Sequence, residues 1–577
     1  MSKQANLQVA IVSINAKNIH KALAPWCLKS YCESKGLNGI GVIETTVNDN
    51  INEIIAKIYS ANPSVVAFSC YIWNIDYVSK IGREIKKLLP QAVIILGGPE
   101  VSFEEDLSNY PFAACIICGA GERSFYELLS SFKKNRLCEC SGVTALASAI
   151  QSKIISGCNE DFCNSTSPYT DDYFNSFKHN QIPFVENQLI YYESSRGCPF
   201  SCSYCLSSAK PHSALRVPLS EREKKGVHYL PLDRVKQELL LLVEKGAKCI
   251  KFVDRTFNAD KKRAKEILGF VRSLDTDCTF HFEAAADLFD DEMLQIVSKM
   301  PVKRIQFEIG LQSINEKTLL AIDRKTDTEK VLKNVNRLTS FQNTHIRVDL
   351  IAGLPHETLE TFANAIDKCI ECKPHMLQLG FLKMLKGAKI REENNYGEVF
   401  ADFAPYEVFQ TNTLSFSDIV KLKRIESVIE KFYNRGAFAC STELGFKIFK
   451  SPYKFFEALS DHCIEDGSFG FKSSMKNAYS MLLNFLLSYG GRREIEHNIK
   501  LDSLSFDGKS VPDEIPQQRN KQAELIYGKK LPKGTKFRIE FFEFDNTHKL
   551  FVYENKNLIA GRYDGVNISI EKLGLTK

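Results

Sequence analysis

The feature that most constrains how this chain can fold is an alternation, present in two separate blocks, of short apolar β-rich runs with stretches of helical spacing. In the first block the runs are Leu7–Val12, a weaker Ile40–Ile43, Val65–Phe68, Val93–Leu96 and Cys115–Cys118. Between two of them, Ile75, Val78, Ile81, Ile85 and Leu88 recur at spacings of three and four, laying an apolar stripe along one helix face. Strands and helices that alternate through short connections imply a parallel, doubly wound (flavodoxin-like) sheet. Ligands of such sheets sit beyond the carboxyl ends of the strands. Here those ends carry SCYIWN (Ser69–Asn74), GGPE (Gly97–Glu100) and GAGE (Gly119–Glu122), whose glycines permit close backbone approach.

From about Ser141 to Pro183 the pattern dissolves into Ser, Asn, Asp and Cys, as expected of a linker. A second βα series follows, with strands expected at Leu189–Tyr192, Cys249–Val253, Phe280–Glu283, Ile305–Ile309, Ile346–Ile351 and Leu377–Phe381. One intervening helix carries Leu232, Val235, Leu239, Leu242 and Val243 and closes at Gly246. Six such units are too few for a complete eight-fold barrel, so a partial six-stranded βα barrel is expected. Beyond Gly387 come aromatic-rich helical stretches, Tyr406–Phe438 and Tyr453–Leu487, then a small β tail at Lys536–Phe544 and Leu550–Tyr553. The expected α/β architecture divides into residues 1–140, a linker 141–185, a barrel 186–387 and a mainly helical C-terminal region 388–577.

Composition excludes little but directs the cysteines. A chain of 577 residues holds two to four domains at about 150 residues each, and 44% hydrophobic content supports a large core. A net charge of +5 selects no partner; a basic run at Lys529–Lys536 reads as a solvated loop rather than a nucleic-acid face. The N-terminus lacks a signal-peptide pattern and no apolar run reaches about 18 residues, so reducing cytoplasm and no membrane partner are expected. In that compartment clustered cysteines bind metal or do catalysis more often than they form disulfides, and the chain has 18 of them.

The central signal is Arg196-Gly-Cys198-Pro-Phe-Ser-Cys202-Ser-Tyr-Cys205, directly after the first barrel strand. Three thiolates on one loop can hold three irons of a cubane and leave the fourth open to chelate a ligand. This spacing resembles the radical S-adenosylmethionine (SAM) superfamily, and the resemblance runs from about Leu189 to Gly387. It implies a [4Fe-4S] cluster on Cys198, Cys202 and Cys205 and SAM bound at the open iron, with an aromatic, Tyr204, near adenine. Residues Lys251–Asn258 stand where the family often has a Gly-Gly-Glu stretch; the glycines are missing, leaving Asp254 as the candidate. HFEAAAD (His281–Asp287), FEIGLQS (Phe307–Ser313) and VDLIAGLP (Val348–Pro355) resemble later strand ends of the family. They imply cofactor contacts by Glu283 and Gln312 and catalytic roles for Glu308 and Asp349, although a strand-end carboxylate equally serves as a helix cap or barrel salt bridge.

The first block resembles the cobalamin-binding domain that precedes many radical SAM barrels, through Ile14–His20, SCYIWN, GGPE and GAGE. The resemblance implies a corrin and its nucleotide tail around Ser69, Tyr71, Trp73, Gly97, Gly98, Pro99, Gly119 and Glu122. The lower-ligand motif Asp-x-His-x-x-Gly is absent, so His20 is expected at the rim and not as an axial ligand; the alternative is a vestigial domain without a ligand. Gly119–Ser124 matches a dinucleotide fingerprint only superficially, since it follows the last strand and Ser124 replaces the third glycine. Cys115 and Cys118 lie three apart in a strand, on opposite faces, and cannot easily share one metal. Cys369 and Cys372 read as buried small hydrophobes, and Cys138, Cys140, Cys158 and Cys163 form only a loose group.

The resemblance implies a cobalamin-dependent radical SAM methyltransferase that methylates an unactivated carbon of a small-molecule substrate, with a flavodoxin or ferredoxin as electron donor. Two other readings stand beside it. A methylthiotransferase acting on transfer RNA would share GLPHET (Gly353–Thr358), but Cys27, Cys32, Cys70, Cys115 and Cys118 do not match the spacing of its second cluster. A non-catalytic cobalamin-binding sensor would leave the cysteine triad without purpose.

Overall fold

The computed structural model describes residues 8–104, 107–136, 153–156, 160–176, 188–209, 226–467, 474–530, 533, 536–553 and 568–569. The first block is a parallel sheet of β1 (Val9–Asn15), β2 (Ile40–Thr46), β3 (Val65–Ser69), β4 (Val93–Gly97), β5 (Cys115–Cys118) and β6 (Lys153–Ser156), in the order β2-β1-β3-β4-β5-β6. Because side chains alternate faces along a strand, Val9 and Ile11 pack with α1 (Ala24–Ser34) and α4 (Glu122–Arg136), through Cys32, Phe125 and Leu129. Val12 and Ile14 pack on the opposite face with α2 (Ile51–Ser60) and α3 (Ile75–Leu88), through Ile54, Ile58, Val78 and Ile81. Each such fully buried aliphatic side chain contributes about 1.5–3 kcal/mol. Cys115 and Cys118 fall into the cores on opposite faces, as their spacing requires.

The sixth strand is a departure from expectation. Lys153–Ser156 lies in the stretch read as a linker, yet it pairs parallel with β5, from Cys115↔Lys153 to Cys118↔Ser156. Its two isoleucines are flanked by Lys153 and Ser156 in a polar stretch, so no apolar run stands out as it does at Cys115–Cys118.

The barrel strands are β7 (Leu189–Tyr192), then, after a short antiparallel pair β8 (Ser195–Arg196) and β9 (His228–Tyr229), β10 (Cys249–Phe252), β11 (Thr279–Ala284), β12 (Ile305–Gln312), β13 (Thr344–Ala352) and β14 (Met376–Phe381). The six long strands form one parallel sheet in the order β14-β13-β12-β11-β10-β7. In β12 and β13 buried and half-buried residues alternate strictly. Ile305, Phe307, Ile309, Ile346, Val348 and Leu350 join the core beneath the surrounding helices. Glu308, Gln312, Arg347 and Asp349 therefore share the other face, which lines the lumen.

A partial barrel leaves two strand edges to satisfy. At β7 the Leu189 amide donates to Ile19 O (2.7 Å) in the loop after β1, which brings the first domain against the barrel. At β14 the Asn434 side chain accepts from the Leu377 amide (2.9 Å) and donates to the Leu377 carbonyl (3.0 Å), imitating a strand partner. The C-terminal helices, including Phe416–Val428, Ala439–Phe449, Pro452–Glu465, Met475–Leu487 and Arg492–Phe506, share one continuous core with the barrel. After the short helix Lys389–Glu393, the helical stretch expected from Tyr406 starts only at Phe416: Ser415 and Asp418 form a capping box, and Val408–Gln410 (β16) pairs antiparallel with Val399–Phe400 (β15). The β tail consists of β17 (Lys536–Phe542), β18 (Thr547–Tyr553) and β19 (Ile568–Ser569), all antiparallel. Among the described residues no helix is long and apolar enough to cross a membrane.

Candidate active site

The cysteine loop is held from several directions. Asp254, at the end of β10, accepts from the amides of Ser194 (2.7 Å) and Ser195 (3.0 Å) and from the Ser194 hydroxyl (2.5 Å). Gly197 follows with φ +106°, and a Cβ there would lie 2.5 Å from Gly226 O, so only glycine fits. The Ser203 amide donates to Ile322 O (2.9 Å), the Ser203 carbonyl accepts from the Ile390 amide (3.0 Å), and the Ser208 hydroxyl reaches the carbonyls of Cys202 and Cys205. All cysteines among the described residues are free thiols.

Two polar groups address the thiols directly. Thr256 Oγ1 lies 3.8 Å from Cys198 Sγ, and the Arg324 guanidinium donates to Cys202 Sγ (3.8 Å) and to the Tyr204 hydroxyl (3.3 Å). Burial pushes the Cys202 thiol up, and Arg324 opposes that shift. Arg324 also donates to Gly310 O, beside the point where β12 and β13 slip register. At that slip Gln312 adopts φ +72°, with its Nε2 filling the space that a Gly310 side chain would occupy. A left-handed non-glycine residue costs about 1–3 kcal/mol and points to a functional constraint. Gln312 Oε1 and Arg324 Nε are both buried without a hydrogen-bond partner. Sequence reading missed Arg324, which lies beyond β12 outside the cysteine motif; only the approach of its side chain to Cys202 marks it.

The lumen face of β10–β13 brings together Lys251, His281, Glu283, Glu308, Arg347 and Asp349. Glu308 sits at the centre, 2.9 Å from Lys251 Nζ, 3.1 Å from His281 Nε2 and 3.2 Å from Arg347 Nη2. Burial alone would raise its carboxyl, but His281, Arg347 and Lys251 outweigh burial and hold it well below the usual carboxylate range. Asp349 is bonded to Arg347 Nε (2.7 Å), yet burial, with Glu308 adding to it, raises its carboxyl. Glu283 is raised by burial and by Glu308, with Lys251 no nearer than 3.9 Å. Two carboxyls in one lumen thus retain protons more readily than the third.

At the carboxyl edge of the first sheet the expected residues also converge. The Cys70 amide donates to Gly97 O (2.7 Å), and a Cβ on Gly98, at φ +117°, would come 2.5 Å from Cys70 O. Tyr71 and Trp73 stack with ring centroids 4.3 Å apart, and the Trp73 indole, still 46% exposed, donates to Ile14 O (3.2 Å). Ser69 Oγ reaches Val12 O, Gly119 N donates to Ser102 Oγ (3.2 Å), and Pro99 is exposed. This edge faces the barrel. Glu100 accepts from the Tyr406 hydroxyl (2.5 Å), Glu104 pairs with Lys386 (2.6 Å), and Glu122 pairs with Arg196.

Several expected residues are thus already engaged by protein. Both oxygens of Asp254 hold the cysteine loop, and Glu122 is bound to Arg196. His20 Nδ1 lies 2.6 Å from the Tyr191 hydroxyl at the junction of the two domains, in agreement with a rim position. Cys369 and Cys372 are buried, and Cys372 donates to Leu332 O and Lys368 O. Cys138, Cys140 and Cys158 lie outside the described residues, as do parts of the linker and of the basic run at 529–536. Among the described residues no three His, Cys, Asp or Glu converge to hold a single metal ion. Thiolates that each bind a different iron need no such convergence.

Three family models match the chain in order: a B12 binding domain over residues 9–129, the radical SAM superfamily over 192–369, and a protein of unknown function (DUF4080) over 394–554. The chain is 24% identical over 328 residues to an uncharacterized methyltransferase, PH0819, of Pyrococcus horikoshii, covering 56% of this chain and 66% of the relative. It is 24% identical over 342 residues to the cobalamin-dependent radical SAM methyltransferase TokK of Streptomyces tokunonensis, covering 56% of this chain and 47% of the relative. The chain therefore spans about half to two thirds of the length of these curated relatives. Its fold matches that of the apo cobalamin-dependent SAM radical enzyme OxsB with a TM-score of 0.57 at 15% identity, over 91% of this chain and 81% of OxsB. The domains matched imply a [4Fe-4S] cluster, SAM and cobalamin as cofactors. The chain thus carries, in order, a B12-binding domain, a radical SAM domain and a DUF4080 region.

Proposed function

We propose that this protein is a cobalamin-dependent radical SAM methyltransferase that transfers a methyl group to an unactivated carbon of a small molecule. The observation that carries this reading is the apposition of two built sites: the glycine-lined carboxyl edge of the first sheet is ion-paired directly to the cysteine loop at the mouth of the barrel.

The residues present fit the cofactors. Cys198, Cys202 and Cys205 would hold the cluster, and the orphaned Gln312 Oε1 and Arg324 Nε are buried polar atoms that a SAM molecule would satisfy, with Tyr204 bonded to Arg324. Gly98, where any Cβ would strike Cys70, lets the loops after β3 and β4 close on each other, and the edge they form would hold a corrin with Ser69, Tyr71, Trp73, Gly97, Pro99 and Gly119. When bound, these groups supply one-electron cleavage of a sulfonium and a transferable methyl. The chain's own task is placement. Thr256 and Arg324 orient two thiols, and the charged ties at Glu100, Glu104 and Glu122 keep the sheet edge over the barrel mouth and exclude water. In the lumen, Glu308 stays ionised and anchors Lys251 and Arg347, while Asp349 and Glu283 can each hold a proton on a carboxyl oxygen next to a substrate.

A second cluster of the methylthiotransferase kind finds no support. Cys32 and Cys115 pack on one face of the first sheet, and Cys70 and Cys118 on the other. Free thiols throughout the described residues favour a reducing cytoplasm, where a flavodoxin or ferredoxin would donate the electron. The test is anaerobic purification and reconstitution followed by incubation with reductant and methyl-labelled SAM. Iron, corrin absorbance and 5′-deoxyadenosine are expected together. A chain that takes up iron but no corrin refutes the methyltransferase reading.

A further inference from the structure

Arg196 is the point at which three parts of the chain meet. Its Nη1 and Nη2 donate to the two carboxylate oxygens of Glu122 (3.2 and 2.9 Å), and its Nε and Nη2 donate to those of Glu193 (3.0 and 2.8 Å). The guanidinium also lies over the Phe162 ring, 4.5 Å from its centroid. Glu122 is the first residue of α4, in the glycine turn at the carboxyl edge of the first sheet. Glu193 follows β7, and Phe162 belongs to the short 3-10 turn Glu160–Asn164 of the connecting segment. The three charged side chains are only 12–20% exposed, and four of the five guanidinium N–H groups donate to these two acids.

There is no slack between this junction and the first cysteine. Arg196 is paired in β8 with His228, Gly197 has no room for a side chain, and Cys198 comes next. A displacement at the Gly119–Glu122 turn must either break a buried bidentate pair or drag the cysteine loop with it. A buried pair resists breaking because the lost partner leaves an uncompensated charge. How the Arg196 charge is shared between Glu122 and Glu193, two residues from a thiolate, also bears on the electron affinity of any cluster that thiolate holds, since nearby charge and hydrogen bonding tune such centres.

We propose that Arg196 is a positioning residue that couples the two cofactor sites, so that occupancy of the sheet edge by cobalamin changes the reduction potential of the cluster on the barrel loop. This rests on the reading of the two sites given above. Coupling between sites is reciprocal: the affinity for cobalamin then depends on the oxidation state of the cluster by the same factor.

The experiment is a redox titration of the reconstituted full chain, following the cluster by electron paramagnetic resonance, with and without saturating hydroxocobalamin. For the wild-type chain the two midpoint potentials should differ by at least the lower end of ordinary couplings, about fivefold in affinity, or about 40 mV for a one-electron couple. In Arg196→Gln and Glu122→Gln that difference should vanish while iron content stays unchanged, and Arg196→Lys should restore part of it. A wild-type chain without the difference, or variants that keep it, overturns the proposal. If the variants load iron poorly, hydrogen exchange of the apoprotein decides. Glu122→Gln should speed exchange across residues 194–205 by about tenfold, the scale of one lost charge-assisted hydrogen bond. A change confined to 119–136 overturns the coupling. A wild-type chain that binds neither iron nor cobalamin refutes the functional reading instead, and hydrogen exchange then judges the mechanical link by itself.

Discussion

Replacing Asp254 separates a carboxylate that touches cofactor from one that builds the loop around it. Asp254→Ala removes three charge-assisted bonds and leaves the Ser194 and Ser195 amides and the Ser194 hydroxyl unpaired in the interior. It also leaves Arg263, which donates to Ser194 O (3.2 Å), without its nearby anion. Such a loss costs about 3–5 kcal/mol. Asp254→Asn behaves differently. Its carbonyl can still accept both amides and its NH2 can meet the Ser194 oxygen, so about 1 kcal/mol is expected. The pH dependence follows from burial, which raises the carboxyl from 3.8 to about 6 against the serine hydrogen bonds that favour the charged form. The folded state therefore binds this proton more tightly than the unfolded chain does. Stability from this group is greatest in acid and falls as pH rises from 3.8 through about 6, by about 3 kcal/mol at 1.36 kcal/mol per pKa unit. The assay is native-state hydrogen exchange at Ser194 and Ser195, because a chain of several domains has no single unfolding free energy. Asp254→Ala should accelerate opening by about two to four orders of magnitude. Asp254→Asn, neutral at every pH, should open about fivefold faster than wild type in acid and no faster than wild type near pH 7, because the acid-to-neutral fall is abolished. Equal effects of the two variants, or exchange in the alanine variant within about threefold of wild type, would refute the latch.

Alanine at Cys198, Cys202 or Cys205 should each lower iron content after reconstitution to near zero while leaving circular dichroism unchanged; retention of full iron content by any one excludes that residue as a ligand. Gly98→Ala places a Cβ 2.5 Å from Cys70 O at a left-handed φ, so corrin uptake should be lost by absorbance and the first domain destabilised by more than about 1 kcal/mol. Glu308→Gln leaves Lys251 with Glu283 at 3.9 Å and Arg347 with Asp349 as remaining anions, and should cost about 1.5–3 kcal/mol at pH 7. Because the Glu308 carboxyl is depressed when folded, its contribution is present above 4.5 and is lost as pH falls, so urea sensitivity of the variant and wild type should converge in acid.

How much could be read in advance depended on whether the information was local. The six barrel strands, the first five strands of the first sheet and the cysteine loop all stood out because period and spacing are properties of neighbouring residues. The lumen carboxylates were legible for the same reason: in β12 and β13 polar residues alternate with apolar ones around Glu308 and Asp349, which places the two together once the strands pair. Lys153–Ser156 was not legible, since its two isoleucines stand between Lys153 and Ser156 in a polar stretch and only the pairing with β5 makes them a strand.

The amino-acid order alone determined which residues could bind iron and which faces had to be buried, because thiol chemistry and hydrophobic periodicity need no partner to be recognised. Only the tertiary structure decided what each polar group does. Arg324 meets a thiol 122 positions away, and Glu122 meets Arg196 across 74. Asp254 turned from a candidate cofactor contact into a brace for Ser194 and Ser195 because the end of β10 lies beside the end of β7. Ion pairs and hydrogen bonds act over a few ångströms, and the distances between remote residues come into being only when the strands and loops have packed.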